Sequence, residues 1–175
     1  MADVDERFSH VLPSQEANRP SGSKFTRGDV LFARITPCLE NGKTAVALFL
    51  RPDEIGIGST EFIVLRGIDV GPGFVYCAAR SDEIRGPAIK SMSGASGRQR
   101  VSNDCFESML MAAPDPAITL RFEGVVRPML EAVFAYRVQN EQLAATRDLL
   151  LPRLVTGRLN IADIDLGVLT PLEAE

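Results

Sequence analysis

The stretch LRFEGVVRPMLEAVFAYRVQNEQLAATRDLLLPRL, residues 120–154, determines how the chain is organised. Its seam positions alternate by four and three residues, as in a coiled coil: Phe122, Val126, Met129, Val133, Tyr136, Asn140, Leu143, Arg147, Leu150 and Leu154. Eight of these ten side chains are apolar or aromatic. At about 1.5 Å per residue, one helix over this stretch is on the order of 50 Å long, more than a small domain needs for its own core. The pattern therefore predicts a long C-terminal helix of coiled-coil type that holds something outside itself.

The two halves of this helix differ in the width of their apolar stripe. Val125, Leu130 and Phe134 widen the stripe in the first half, which favours packing against the chain's own globular part. Polar and charged residues surround a thinner seam in the second half, which is therefore predicted to meet another helix. The residues predicted to serve dimerisation or docking are Val133, Tyr136, Asn140, Leu143, Arg147, Leu150 and Leu154.

Three residues interrupt the apolar pattern of the helix. Asn140 in a buried seam selects one register and orientation, and Arg147 buries its stem while its guanidinium reaches an acidic partner. Alternatively, Asn140 and Arg147 both lie at a solvent-exposed edge of the helix. Pro128 lacks the N–H that bonds to the carbonyl of Gly124, which predicts a kink or a division into two helices.

Composition indicates one globular core with a helical appendage. The 175 residues are 45% hydrophobic and 24% charged, as in ordinary globular proteins. The start MADVDERF is not a signal peptide, and no apolar run is long enough for a membrane span, so we expect a cytoplasmic protein. Cys38, Cys77 and Cys105 are interpreted as reduced structural thiols, because they are odd in number and widely spaced.

Charge is distributed unevenly along the chain. The net charge of −4 argues against indiscriminate coating of nucleic acid. Residues 84–100 nevertheless contain four basic residues and no acid, and residues 24–51 contain five basic residues against Asp29 and Glu40. A basic face on an acidic protein is compatible with selective DNA contact, and a merely solvated surface is the alternative.

The remaining segments predict a mixed α+β fold with a twisted sheet. DVLFARI and TAVALFL form a hairpin around Asn41-Gly42, and EFIVLR is a further strand. GIGSTE at 56–61 is predicted as a turn whose glycines let a strand or a ligand approach closely. Residues 74–92 are predicted to be helical with a break at Gly86-Pro87, residues 106–111 to be a strand, and residues 1–23 to be a polar leader with little apolar mass.

The polar side chains on the loops favour binding over catalysis. A Cys38–His10 nucleophile pair and a carboxylate pair among Asp29, Glu40 and Glu61 are the enzymatic alternatives, although turn hydrogen bonding is the more ordinary use of such carboxylates. Lys43, Ser59, Thr60, Arg98, Gln99 and Arg100 stand on glycine-rich turns and carry groups that bond to phosphates and base edges.

Four sequence motifs together resemble a known family. In chain order they are GDVLFARITPCLENGKTA at 28–45, GSTEFIVL at 58–65, MSGASGRQRV at 92–101 and NEQLAATRDLLLPRLVTGRL at 140–159. They resemble the specificity subunit of type I restriction-modification systems. The resemblance extends over about residues 24–160.

The resemblance implies a DNA-binding subunit that is not an enzyme and holds no cofactor. In that family a mixed α/β target recognition domain reads half of a split site in double-stranded DNA. Long helices separate two such domains and dock the adenine methyltransferase subunits, and a restriction and translocase subunit completes the complex. The DNA-binding residues it implies here, expected to contact phosphate or brace loops more than read bases, are Arg34, Lys43, Ser59, Thr60, Arg98, Gln99 and Arg100.

The expected domain organisation is shorter than that of a full-length member. Residues 1–114 are the target recognition domain, short at its N-terminus, followed by the long helix at 115–158 and an acidic tail at 159–175. Full-length members carry two recognition domains and two helical regions. The chain is then either a half-length subunit that forms a homodimer through antiparallel helices, or a truncated or degenerate domain that serves only as a helix-mediated interaction module.

Overall fold

The protein is a mixed α+β fold with a long C-terminal helix, as the sequence predicted. A computed structural model describes Val4 and residues 21–95, 97–112 and 114–160. The elements, in order, are β1 (Ser23–Phe25), β2 (Val30–Ala33), β3 (Thr44–Val46), β4 (Gly56–Gly58), β5 (Phe62–Leu65), α1 (Pro72–Arg80), α2 (Asp82–Lys90), a 3-10 helix (Asn103–Phe106) and α3 (Pro116–Val155). The chain consists of two compact units, residues 1–135 and 136–175, so the boundary between them falls inside α3.

A three-stranded antiparallel sheet in the order β3–β2–β5 forms the centre of the first unit. Strand β2 is buried at all four positions because it pairs on both sides and is covered on both faces. The hairpin predicted between β2 and β3 is confirmed. Gly42 in its turn has φ +73°, a conformation that a glycine adopts without steric cost.

A second sheet pairs β1 with β4, and it corrects two expectations. Gly56–Gly58 is a strand, not the first part of a turn, and β1 begins at Ser23, inside the segment expected to be a polar leader. A Cβ on Gly56 would lie 2.3 Å from Phe25 Cε2, so the glycine accommodates the neighbouring strand, one of the two alternatives raised by the sequence. Val4, in the leader expected to add little apolar mass, is 1% exposed and belongs to the core; the rest of residues 1–20 lies outside the described residues.

The two faces of β2 contribute to two different hydrophobic clusters. Val30 and Phe32 belong to the cluster that also contains helix residues such as Ala79 and Leu130. Leu31 and Ala33 belong to the other cluster, which includes Val4, Phe25 and Phe62. Successive side chains of a strand point to opposite faces, so this four-residue strand connects both cores.

Two expectations about the region between β5 and α3 require correction. The break between α1 and α2 is at Ser81, and Pro87 lies inside α2 instead of dividing the helical region. The strand expected at residues 106–111 is wrong, because this region begins with the 3-10 helix Asn103–Phe106. Phe106 still reaches the core, where its ring meets Phe32 edge to face at 5.6 Å. A single helical turn thus packs the half-buried aromatic side chain against the core without strand pairing.

Helix α3 runs without interruption through Pro128, so the two-helix alternative is wrong. Leu130 is buried, and Val126 and Phe134 pack against the same cluster, as expected for the first half. Val125 does not join them, since it is 64% exposed. No described helix, α3 included, contains a stretch that is both long and apolar enough to cross a membrane.

Close packing of α3 against α1 depends on two glycines. A Cβ on Gly71 would lie 2.2 Å from Glu123 Cδ, and a Cβ on Gly73 would lie 2.9 Å from Val126 Cγ1. The space lets Glu123 Oε1 accept a hydrogen bond from Phe74 N at 2.6 Å, so a carboxylate of α3 satisfies an N–H in the first turn of α1.

An ion pair between a buried carboxylate and an exposed arginine lies at the start of β2. Asp29 is 2% exposed and receives hydrogen bonds from Arg66 Nε and Nη2, both at 2.6 Å, and from Thr26 N at 2.6 Å. Burial by itself raises the pKa of Asp29, but the bonds from Arg66 and Thr26 outweigh it and hold the pKa below its usual value. The pair ties the residue before β2 to the residue after β5.

Asp29→Asn is expected to lower the free energy of unfolding at neutral pH by about 1–3 kcal/mol, because Arg66 and Thr26 lose a charged acceptor. With a lowered folded pKa, the carboxylate stabilises the protein above the unfolded pKa, and this stability is lost as pH falls through the folded pKa. In denaturation measurements, the free energy of unfolding of the variant should therefore depend less steeply on pH in the acid range. Asp53→Asn is the control, because Asp53 is exposed. An unchanged pH dependence of stability in Asp29→Asn would contradict this account.

Candidate nucleic-acid interface

Three of the motif segments meet at the end of β2 opposite to Asp29. Ala33 N donates to Lys43 O at 3.1 Å, and Arg34 N donates to Glu61 O at 3.0 Å. Val101 N donates to Arg34 O at 2.8 Å. The loops that carry the predicted DNA-binding residues are therefore neighbours in space, although 67 positions separate Arg34 from Val101.

Arg34 connects these segments with its side chain as well as its backbone. Its Nε donates to Val101 O at 2.8 Å, so Arg34 and Val101 are joined by two hydrogen bonds in opposite directions. Arg34 was predicted to be a DNA-binding residue. In the structure its guanidinium braces the loop. Bracing was the alternative to phosphate contact expected for the motif residues.

The loop at residues 93–100 is held at its base by backbone bonds. Arg100 N donates to Ser93 O at 2.8 Å and Ser93 N returns a bond to Arg100 O at 3.0 Å. Gln99 O accepts from Thr36 N at 3.0 Å, which attaches the loop to the segment after β2. Gly94 has φ +121°, so the loop needs glycine at this position.

An ion pair joins this loop to the turn before β5. Arg100 Nε lies 2.9 Å from both carboxylate oxygens of Glu61, and Nη2 lies 2.6 Å from Oε1. These bonds lower the pKa of Glu61, with a smaller contribution from the charge of Arg34, and raise the pKa of Arg100. The nearby Ser59 Oγ accepts from Glu61 N at 3.2 Å and so positions the turn.

Two arginines of the helices fasten the hairpin loop between β2 and β3. Arg85 Nη2 donates to Glu40 O at 3.1 Å, and Arg80 Nη1 donates to Gly42 O at 3.5 Å. This role of both residues is not apparent from the sequence. Arg85 had been noted as one of several basic residues, but no local pattern connects a helix with a loop some forty positions earlier.

The predicted site residues therefore divide into two groups. Arg34, Ser59 and Arg100 use their side chains for bonds within the protein. In the part of the chain that the structure describes, no side-chain hydrogen bond or ion pair engages the other four residues: Lys43, Thr60, Arg98 and Gln99. Thr60 and Arg98 are exposed, and Lys43 and Gln99 are half-buried. This second group offers an ammonium, a guanidinium, an amide and a hydroxyl to a ligand.

The enzymatic alternatives find little support in this geometry. Asp29 and Glu61 lie at opposite ends of the sheet, and each is paired with an arginine that lowers its pKa, so neither is suited to act as a general acid at neutral pH. Cys38 is a half-buried free thiol, and His10 lies outside the described residues. Among the residues with described positions, no three His, Cys, Asp or Glu side chains gather as metal ligands.

The predicted dimerisation or docking residues lie along α3, and all of them except Leu154 are exposed. Leu143 is 66% exposed, Tyr136 64%, Val133 42% and Leu150 36%. Asn140 and Arg147 are also exposed, and Leu154 is half-buried. Arg147 donates to the adjacent Asp148 at 2.8 Å. Leu149, Leu151 and Val155, outside the predicted seam, are exposed as well, so the apolar surface near the end of α3 is wider than expected.

Exposure separates two stripes in the first half of α3. Leu130 and Phe134 pack against the core, whereas Met129 and Val133 are exposed. Consecutive residues of an α-helix lie about 100° apart, so the exposed seam is roughly a quarter-turn from the packed stripe. The seam positions Met129 and Val133 thus stay exposed, whereas the earlier seam position Val126 packs against the core.

Comparison with known proteins confirms the resemblance to specificity subunits. The chain is 28% identical over 108 residues to the type I restriction enzyme EcoEI specificity subunit of Escherichia coli, with 61% of this chain and 18% of that protein covered. It is 33% identical over 86 residues to the EcoAI specificity subunit of the same organism, with 48% and 14% covered. The matched part of the chain therefore covers less than a fifth of either relative. No family model matches.

A solved structure shares the fold. It describes complex assembly and conformational transition of the type I R-M system, and one of its chains superimposes with a TM-score of 0.55 at 23% identity. The match covers 94% of this chain and 43% of the other. At this level of identity the likeness concerns the fold alone.

Arg34→Ala is expected to lower the free energy of unfolding by about 1–3 kcal/mol, because Val101 O loses a charged donor. Hydrogen exchange at the Val101 amide should also become faster, since this amide bonds to the backbone of residue 34. Arg98→Ala is the matched control and should change stability by less than about 0.5 kcal/mol. Unchanged exchange at Val101 in Arg34→Ala would contradict the bracing role.

Proposed function

We propose that this chain is a DNA sequence-recognition subunit of a type I restriction-modification complex, without catalysis of its own and acting in the cytoplasm. The observation that carries the proposal is the convergence of three motif loops at one end of the β3–β2–β5 sheet. The relatives support it, because both are named specificity subunits of type I restriction enzymes.

The chemistry of the converged loops suits the DNA backbone. Lys43 and Arg98 carry positive charges without a protein partner among the described residues, and Thr60 adds an exposed hydroxyl. Such groups bond to phosphate oxygens and fix the position of a protein on the duplex without reading its sequence. The half-buried Gln99 adds an amide that can contact either a phosphate or a base edge.

Helix α3 is proposed to assemble the complex. Residues 1–114 would form the recognition domain, residues 115–158 the docking helix and residues 159–175 an acidic tail. The exposed Tyr136, Leu143 and Leu150 form an apolar surface suited to a second helix, either of another copy or of an adenine methyltransferase subunit. A restriction and translocase subunit would join through the same complex.

A second candidate function is a helix-mediated interaction module that makes no specific contact with DNA. It is favoured by the bonds of Arg34 and Arg100, since both predicted DNA contacts serve the protein itself. Salt-dependent binding to duplex DNA separates the two functions, because each phosphate contact steepens the dependence on salt concentration. Co-purification of an adenine methyltransferase from the native host would support assembly into a restriction-modification complex.

Charge reversal of Lys43 or Arg98 is expected to weaken duplex DNA binding by roughly tenfold near 0.1 M salt and to reduce the salt slope by about 1. Thermal unfolding should stay unchanged, because neither side chain bonds to another described residue. Arg51→Glu is the matched control, since Arg51 is 82% exposed and lies beyond the other end of β3. If the control weakens binding equally, the effect is one of net charge and the proposed interface is wrong.

Leu143→Asp is expected to disrupt self-association, because the variant places a charge in the centre of the apolar seam. Light scattering should then change from the mass of a dimer to that of one chain. Gln142→Asp is the control, since it adds the same charge at the neighbouring exposed position outside the seam. Equal masses for wild type and Leu143→Asp would contradict a homodimer through this face, and loss of methyltransferase co-purification would then identify it as a docking face.

A further inference from the structure

The Glu61–Arg100 pair has the geometry with which arginine binds a phosphate. Two nitrogens of Arg100 face two oxygens of Glu61 at 2.6–2.9 Å. Guanidinium groups bind carboxylates and phosphates with the same two-pronged arrangement of N–H donors. The carboxylate of Glu61 therefore occupies the place on Arg100 that a DNA phosphate would take.

The pair stands among the residues proposed to contact DNA. The backbone of Arg100 is fixed by its bonds to Ser93, and Arg98 lies two positions earlier in the same loop. Glu61 follows Thr60 directly, and its pKa is lowered by the charges of both Arg100 and Arg34. A negative charge paired with Arg100 and influenced by Arg34 thus lies at the end of the sheet where the motif loops converge.

The pair is open enough to exchange partners. The side chain of Arg100 is 49% exposed and that of Glu61 is 22% exposed. Ion pairs this accessible contribute little to folding, because water solvates the separated charges well. The bonds of Glu61 O and Val101 N to the backbone of Arg34 hold both segments in place without the ion pair.

We propose that Glu61 is an internal competitor of DNA phosphate for Arg100. Arg100 exchanges the carboxylate for a phosphate when duplex DNA binds, and the free energy needed to break the ion pair weakens indiscriminate binding. This inference rests on the proposed function. It assigns to Glu61 a role that neither a brace nor a base contact would have, because its removal should strengthen DNA binding.

The test uses the full chain and a mixed-sequence DNA duplex of about 30 base pairs, with fluorescence anisotropy across a range of salt concentrations. Glu61→Gln should tighten binding by about fivefold at low salt and steepen the salt slope by about 0.9, the effect of one additional phosphate contact. Glu54→Gln is the matched control, because it removes one negative charge from another exposed arginine–glutamate pair, that with Arg51. The control should leave the slope unchanged.

A double-mutant cycle with Arg100→Gln assigns the gain to Arg100. Arg100→Gln should weaken the binding of Glu61→Gln more than it weakens that of the wild type, because only the former has an uncommitted guanidinium. Melting curves of all four proteins establish that they are folded, and a Glu61→Gln variant that fails to fold would overturn the inference by showing that the pair is a structural brace.

The remaining outcomes distinguish this inference from the proposed function. Wild-type binding with an unchanged or weaker Glu61→Gln overturns the competitor role and leaves DNA recognition standing. An equal gain in Glu54→Gln also overturns it, since net charge alone would explain the result. Binding by neither the wild type nor Glu61→Gln overturns both proposals together.

Discussion

The paired hydrogen bonds between Arg34 and Val101 are the constraint on which the arrangement of the site depends. Arg34 stands where β2 ends; its N–H bonds to Glu61, and its C=O and guanidinium both bond to Val101. Through Glu61 O it reaches the turn before β5, and through Val101 it reaches the loop at 93–100. A sheet end that would otherwise carry independent loops becomes one surface, which is what a binding site on loops requires.

Some arginines of the first unit are bonded within the fold, and others are accessible at the surface. Arg66 neutralises the buried Asp29, and Arg85 fastens the hairpin loop, so these positive charges are committed to the fold. Arg98 remains exposed, and Arg100 is held by an acid that water can reach. Counting basic residues along the sequence cannot make this distinction, because a committed and an available guanidinium look the same in a sequence.

Helix α3 has one packed face and one exposed face. Leu130 and Phe134 complete the core of the first unit, and the glycines at 71 and 73 let the helix come close enough for Glu123 to bond to α1. The seam containing Val133 and Leu143 stays exposed. Packing on one face thereby leaves the other available for assembly, which fits the proposed role.

The sequence by itself determined the strands around β2, the hairpin at Gly42, the long C-terminal helix and the family resemblance, because these depend on local periodicity, turn chemistry and motif order. Only the tertiary structure decided that Gly56–Gly58 is a strand, that Phe106 packs from a helical turn, that Val125 is exposed, and that Arg34 braces a loop. Each of these outcomes depends on which distant segments of the chain come into contact. Local propensity contains no term for such contacts, so the residue pattern alone leaves them open.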